Sequence, residues 1–87
     1  MDQNEKEQAI PQLKTEGNAL YSSEKYLDAS LKYRKALSML EQLELLEKPG
    51  EPEWHDIKEK KIPFLLNLAQ CELLLGVRDE QFFFKFY

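Results

Sequence analysis

The sequence predicts an all-α fold built from antiparallel helix hairpins. Apolar residues recur every three or four positions along most of the chain, and no stretch alternates between apolar and polar residues as a strand would. A serine pair and a segment rich in proline and glycine divide the periodic stretches into three. We therefore expect three helices, of which the second is extended and the third is kinked.

The composition indicates a small globular domain and restricts its partners. The chain has 87 residues, is 43% hydrophobic and 32% charged, and carries a net charge of -4. An acidic chain is a poor partner for DNA or RNA, because phosphate binding needs clustered Lys and Arg. No secretory leader or bilayer-length apolar run is recognisable, so we expect no membrane partner. The expected location is the cytoplasm, with the nucleus as an alternative. The single cysteine, Cys71, excludes an internal disulfide and is expected to be a small core residue.

The first predicted helix begins near Pro11, after a polar segment that we expect to be flexible, and carries a glycine on its packed face. Leu13, Gly17 and Leu20 share that face. Glycine inside a helix costs about 1 kcal/mol relative to alanine, so its presence needs a reason. We predict that Gly17 lets the second helix approach closely, with Ala29 and Ala36 as the small matching residues.

The second predicted helix runs from Glu24 to Glu47 and has the clearest apolar period of the chain. Ser23 is placed to cap it, because a serine hydroxyl can accept a hydrogen bond from a first-turn N–H group. The prolines of "KPGEPEW" end the helix. A third helix is predicted from Glu53 to Gly76, and a proline inside it predicts either a kink or two abutting helices.

The first hairpin resembles the tetratricopeptide repeat, a helix-turn-helix unit of about 34 residues. "IPFLLNLAQCELLLG" resembles the first helix of a second repeat, and the insertion "EKPGEPEW" is similar to that of the aryl hydrocarbon receptor-interacting protein and its immunophilin-like relatives. The resemblance implies a co-chaperone-like family and about one and a half repeats of a helical solenoid. The residues expected to pack the repeats are Leu13, Gly17, Leu20, Tyr26, Ala29, Tyr33, Ala36, Leu65, Leu68 and Ala69.

The same resemblance divides the chain into three parts and suggests a shortened product of a longer gene. The parts are a flexible N-terminus (1–9), a partial repeat domain (10–76) and a divergent aromatic tail (77–87), and the domain contains a repeat (10–43), an insertion (44–61) and a partial repeat (62–76).

The resemblance also implies a peptide-binding role for three polar residues. Lys14 and Asn18 lie four residues apart, hence on one helical face, and Asn67 lies on the first helix of the second repeat. In the co-chaperones that this chain resembles, such residues hold the terminal carboxylate of heat-shock chaperones that end in Glu-Glu-Val-Asp. The family completes this clamp with basic residues from a third repeat, which the sequence lacks, so we expect a partial clamp and weak binding.

Two further readings concern self-association and catalysis. The aromatic run from Phe82 to Tyr87 could cover the exposed face of the third helix or drive self-association, and the alternative function is a self-associating helical fragment without a ligand. We expect no enzyme and no cofactor, because no nucleophile–base pair or phosphate-binding glycine loop is recognisable. The lone His55 does not make a metal site.

Overall fold

The computed structural model describes residues 3–78 and confirms the all-α prediction over that range. Its three helices are α1 (Gln3–Ser22), α2 (Tyr26–Leu45) and α3 (Pro52–Arg78), and no strand occurs among the described residues. The packing of α2 against both α1 and α3 makes it the central helix. Because short connections join helices that pack along their lengths, each consecutive pair runs antiparallel.

Helix α1 begins earlier than the apolar spacing predicted. It starts at Gln3 rather than near Pro11, since a polar segment can be helical without showing an apolar period. Ile10 is buried and Ala9 packs against the core, so tertiary contacts begin at these two residues. Pro11 lies inside α1, and the Thr15 hydroxyl donates a hydrogen bond of 3.1 Å to its carbonyl oxygen.

The prediction that Ser23 caps α2 is wrong, because this turn closes the end of α1 instead. Lys25 occupies the N-cap position of α2 and makes no side-chain capping hydrogen bond. The Glu24 N–H donates to the Tyr21 carbonyl at 3.0 Å, and the Lys25 N–H donates to the Leu20 carbonyl at 2.9 Å. These two bonds form a Schellman motif, which needs a left-handed residue, and Glu24 has a φ of 62°.

The core lies along α2 and fixes the positions of the outer two helices. Tyr33, Leu40 and Cys71 are the largest fully buried side chains, which confirms the core role expected for the cysteine. Phe64 of α3 is also buried and lies near the Tyr33 ring, with 6.2 Å between the ring centroids. The buried apolar residues are Ile10, Leu13, Ala29, Tyr33, Ala36, Leu37, Met39, Leu40, Leu43, Ile57, Phe64 and Cys71.

Helix α3 is one continuous helix, so the reading of two abutting helices at Pro63 is excluded. It includes the second half of the segment regarded as an insertion, since α3 already begins at Pro52. Ion pairs fasten this part of α3 to α2. Glu44 accepts from Lys58 at 3.1 Å and from Lys61 at 2.9 Å. A bend at Pro63 stays a prediction.

Candidate functional site

The close approach predicted at Gly17 occurs, and its partner is an aromatic ring. A Cβ atom added at Gly17 would lie 2.6 Å from Cε1 of Tyr33, closer than side chains tolerate. Ala29 and Ala36, the residues predicted to make this contact, are fully buried in the same core. The absence of a side chain at Gly17 therefore makes room for the flat face of Tyr33.

This packing holds the Tyr33 hydroxyl against Asn18. The hydroxyl donates a hydrogen bond of 2.6 Å to Oδ1 of Asn18, one residue beyond the glycine. Burial raises the pKa of the Tyr33 phenol above its ordinary value of 10.0, so the hydroxyl keeps the proton that it donates. With the ring 1% exposed and the oxygen bonded, the side chain of Asn18 is held in one orientation.

A second tyrosine joins α1 to α3 in a similar way. The Tyr21 hydroxyl donates to Oε1 of Gln70 at 3.3 Å. The Tyr21 ring is half-buried and packs edge-on against Tyr26, with 5.4 Å between the centroids. This hydrogen bond links two helices that are otherwise connected mainly through α2.

The polar residues singled out from the sequence lie on the two helical faces that this hydrogen bond joins. Lys14, Asn18 and Tyr21 are spaced four and three residues apart on α1, which places them along one face. Asn67 and Gln70 are three residues apart on α3 and share a face there. Lys14 and Asn18 are exposed, and Asn67 is half-buried. We refer to these five residues as the α1–α3 polar surface.

Ion pairs join α2 to both outer helices. Lys32 contacts Glu16 at 2.9 Å, and Arg34 contacts Glu72 at 2.7 Å. The hydrogen bond from Lys32 lowers the pKa of the Glu16 carboxyl, which is therefore ionised at neutral pH and paired with Lys32. Across residues 3–78 the ion pairs of the structure do not include Lys14. The ammonium group of Lys14 thus remains available to an anionic ligand.

The register of α3 differs from that expected of the second repeat. Leu65 and Ala69 are exposed, although both were expected to pack the repeats, whereas Leu68 is half-buried and packs against the core. The buried stripe runs instead through Ile57, Phe64 and Cys71, because this side of α3 faces α2. Their seven-residue spacing, close to two helical turns, keeps these three side chains on one face of α3.

The opposite side of α3 is an apolar surface that nothing in residues 3–78 covers. The exposed fractions are 52% for Ile62, 61% for Leu66 and 64% for Leu73. Together with Ala69 these residues form an apolar seam along α3, spaced four, three and four apart as apolar residues also are in a coiled coil. The predicted contact of the aromatic run at Phe82–Tyr87 with this helix lies outside the described residues.

The described residues contain neither a cluster of metal ligands nor a membrane-spanning helix. Within it, no three His, Cys, Asp or Glu side chains come together in a way that could hold a metal ion. None of the three helices, over the residues described, combines the length and apolar character needed to cross a bilayer.

Sequence comparisons identify relatives of the chain. Aryl-hydrocarbon-interacting protein-like 1 from Mus musculus is 38% identical over 73 residues, which cover 84% of this chain and 22% of the relative. The protein of the same name from Bos taurus is also 38% identical with the same coverage, and that from Pan paniscus is 37% identical over 84% of this chain and 19% of the relative. No family model matches the chain.

The chain spans about a fifth of the length of the curated relatives that it matches. The relationship confirms the resemblance that the residue spacing indicated. Over most of its length, the chain is a homologue of one segment of the aryl-hydrocarbon-interacting protein-like 1 proteins.

Proposed function

We propose that the chain is a protein-interaction module of the tetratricopeptide type, which binds the terminal carboxylate of an extended acidic peptide. Lys14, Asn18 and Asn67 would contact that carboxylate. The observation that supports this most is the hydrogen bond between Tyr21 and Gln70, because these two residues share helical faces with Lys14, Asn18 and Asn67. The ligand would be a chaperone tail of the Glu-Glu-Val-Asp kind.

The chemistry of the three side chains suits a carboxylate. A lysine ammonium and two amide groups offer N–H donors, and a carboxylate only accepts. Hydrogen bonds to charged groups contribute about 1.5–3 kcal/mol each, but association itself costs at least about 4 kcal/mol. Three such bonds leave a surplus of at most about 5 kcal/mol, so the dissociation constant should be no tighter than roughly 0.2 mM. The module works by binding alone, without catalysis or a cofactor.

The test is a peptide titration followed by amide signals in two-dimensional NMR. An acetylated pentapeptide ending in Glu-Glu-Val-Asp should shift the signals of Lys14, Asn18 and Asn67 at millimolar concentration, and Lys14→Ala should abolish the shifts. Lys48→Ala is the matched control, since this exposed lysine lies in the connection between α2 and α3. Shifts that are missing in the wild type, or unaffected by Lys14→Ala, would contradict the proposal.

A second candidate function, self-association, is favoured by the apolar surface of α3. In an antiparallel pair of α3 helices, Ile62 of one copy lies opposite Leu73 of the other, and Leu66 lies opposite Ala69. The seam is therefore complementary to itself in size, with a large residue facing a small one at its centre. The interface proposed here lies on α3, whereas the aromatic run from Phe82 to Tyr87, the other candidate for self-association, lies outside the described residues.

Sedimentation equilibrium over a range of protein concentrations tests self-association. Leu66→Glu should shift the chain to monomer, because it puts a charge at the centre of the seam. Leu45→Glu is the control, since Leu45 is 86% exposed at the end of α2 and lies off the seam. A wild type that is monomeric at every concentration would exclude this function.

A further inference from the structure

We propose that Tyr33 and Tyr21 set the hydrogen-bonding direction of the α1–α3 polar surface, so that it presents donors outward, and that Gln70 is a further ligand-binding residue. The inference rests on the proposed function and extends its set of contacts. The observation behind it is a repeated arrangement, in which a tyrosine hydroxyl occupies the carbonyl oxygen of an amide side chain. It occurs at Asn18 and at Gln70, on the two facing helices.

Because the amide group is planar, a hydrogen bond to its oxygen also fixes the direction of its NH2 group. Its oxygen and its NH2 group lie on opposite arms of one plane, so an oxygen held at the tyrosine directs the N–H donors away from it. Asn18 and Gln70 are both exposed, hence their donors face the surface rather than the core. Without the hydroxyl, either amide could rotate and offer its oxygen instead.

The hydrogen bonds from the two tyrosines to their amides differ in length and therefore in strength. Tyr33 is 1% exposed, its ring is fixed by Gly17 and Phe64, and its hydroxyl oxygen lies 2.6 Å from Oδ1 of Asn18. The contact from Tyr21 to Gln70 is 3.3 Å long, on a less buried ring. Short O–H···O bonds are the stronger ones, so Asn18 is the more tightly oriented donor.

A surface that offers an ammonium and outward amide N–H groups selects its ligand by chemical type. A carboxylate, which carries only acceptors, can use every donor. A ligand ending in a carboxamide brings its own N–H groups, which face donors and remain unpaired. The surface should therefore distinguish a peptide acid from the same peptide capped as an amide, and Gln70 should contribute to this preference beside Lys14 and Asn18.

The orientation is tested first in the free protein, by the carbon-13 shift of each side-chain carbonyl. Loss of a hydrogen bond to an amide oxygen moves that carbon upfield. Tyr33→Phe should change the carbon-13 shift of the Asn18 side-chain carbonyl and leave that of Gln70 unchanged. Tyr21→Phe should do the reverse, so that each variant is the control for the other. Unchanged shifts in both variants would overturn the orientation whether or not a peptide binds.

The selectivity is tested with the acetylated Glu-Glu-Val-Asp pentapeptide as free acid and as C-terminal amide. Tyr33→Phe should reduce the ratio of the two affinities by about fivefold, the effect of one hydrogen bond. Gln70→Ala should lower the affinity for the acid peptide by a similar factor. Gln12→Ala, which removes an exposed glutamine bonded to Glu16, should leave that affinity unchanged. If Tyr33→Phe weakened both peptides equally, its role would be structural and the inference would fail.

These outcomes separate the inference from the function on which it rests. If Lys14→Ala abolished binding while Gln70→Ala and Tyr33→Phe changed neither affinity nor selectivity, the module would stand and the inference would fall. A wild-type chain that bound neither peptide would contradict the proposed function and the ligand role of Gln70 together. The carbon-13 measurement would still decide whether the tyrosines orient the amides.

Discussion

Replacing Gly17 by alanine should show directly that this position is occupied by the Tyr33 ring. The added Cβ would lie 2.6 Å from Cε1, 3.0 Å from Cδ1 and 3.1 Å from Cζ of that ring. The ring has little freedom to retreat, because it is 1% exposed, lies near Phe64 and is held by its hydroxyl at Asn18. One methyl group therefore has to displace part of the core.

The expected magnitude is the sum of two opposing effects. In an unobstructed helix, changing glycine to alanine would stabilise the fold by about 1 kcal/mol. Overpacking a rigid core with an extra carbon costs about 1–3 kcal/mol. Gly17→Ala should therefore lower the free energy of unfolding by up to about 2 kcal/mol, and the ordinary gain should be absent. Gly17→Leu, with three more carbons, should lower it by several kcal/mol or prevent folding.

Urea denaturation followed by circular dichroism measures this free energy, and a double-mutant cycle assigns the cause. In a Tyr33→Leu background the ring is gone, so Gly17→Ala should recover its stabilising effect. The coupling energy between the two changes should be about 1–3 kcal/mol. A Gly17→Ala variant that is about 1 kcal/mol more stable in the wild-type background would refute the reasoning.

Three further predictions concern the connections and the core. Glu24→Gly should stabilise the fold by about 1 kcal/mol in urea denaturation, because glycine adopts the left-handed conformation without strain; a destabilised variant would contradict this. Hydrogen bonds from Lys61 and Lys58 lower the pKa of the Glu44 carboxyl from 4.5, so their stabilisation exists above this pH and is lost as the pH falls through the lowered value. The stability difference between wild type and Glu44→Gln should accordingly shrink in acid, and a constant difference would oppose it. Burial raises the pKa of the Cys71 thiol, so iodoacetamide should modify it in the native chain far more slowly than in urea, and equal rates would show that it is accessible.

The central helix shows what the sequence can and cannot predict. Its apolar period placed α2 correctly, since the helix packs on both sides against neighbours and its buried positions are numerous. The expected bounds, Glu24 and Glu47, each lie two residues outside the observed ones, Tyr26 and Leu45. The start was missed because the chain reverses at a left-handed glutamate, and glutamate gives no local signal for that conformation.

The register of α3 was missed for a different reason. The repeat resemblance predicted that Leu65, Leu68 and Ala69 pack the repeats. Of these three residues, Leu68 lies on the same side of α3 as Phe64 and Cys71, whereas Leu65 and Ala69 are exposed. In the folded chain α2 covers the side that carries Phe64 and Cys71. Both sides of α3 are apolar, so the period alone could not say which of them is buried.

The sequence predicted part of the candidate site but not the contacts between its helices. Four-residue spacing identified Lys14 and Asn18 as neighbours on one face. The hydrogen bonds from Tyr33 to Asn18 and from Tyr21 to Gln70 span 15 and 49 positions of the sequence. Such contacts follow from the packing of three helices rather than from any local pattern. Gln70 was therefore overlooked, although it lies one turn after Asn67.

The Tyr33 side chain connects the packing of the hairpin to the chemistry of its surface. Its ring fills the space left by Gly17, and its hydroxyl orients Asn18, the next residue in α1. Displacing the ring should therefore disturb the amide even when no ligand-contacting atom is altered. Gly17→Ala should move the Asn18 carbonyl carbon as Tyr33→Phe does, but with a loss of stability. An Asn18 signal that stayed unchanged in a destabilised Gly17→Ala chain would show that packing and orientation are independent, and the tyrosine would then contribute to the core alone.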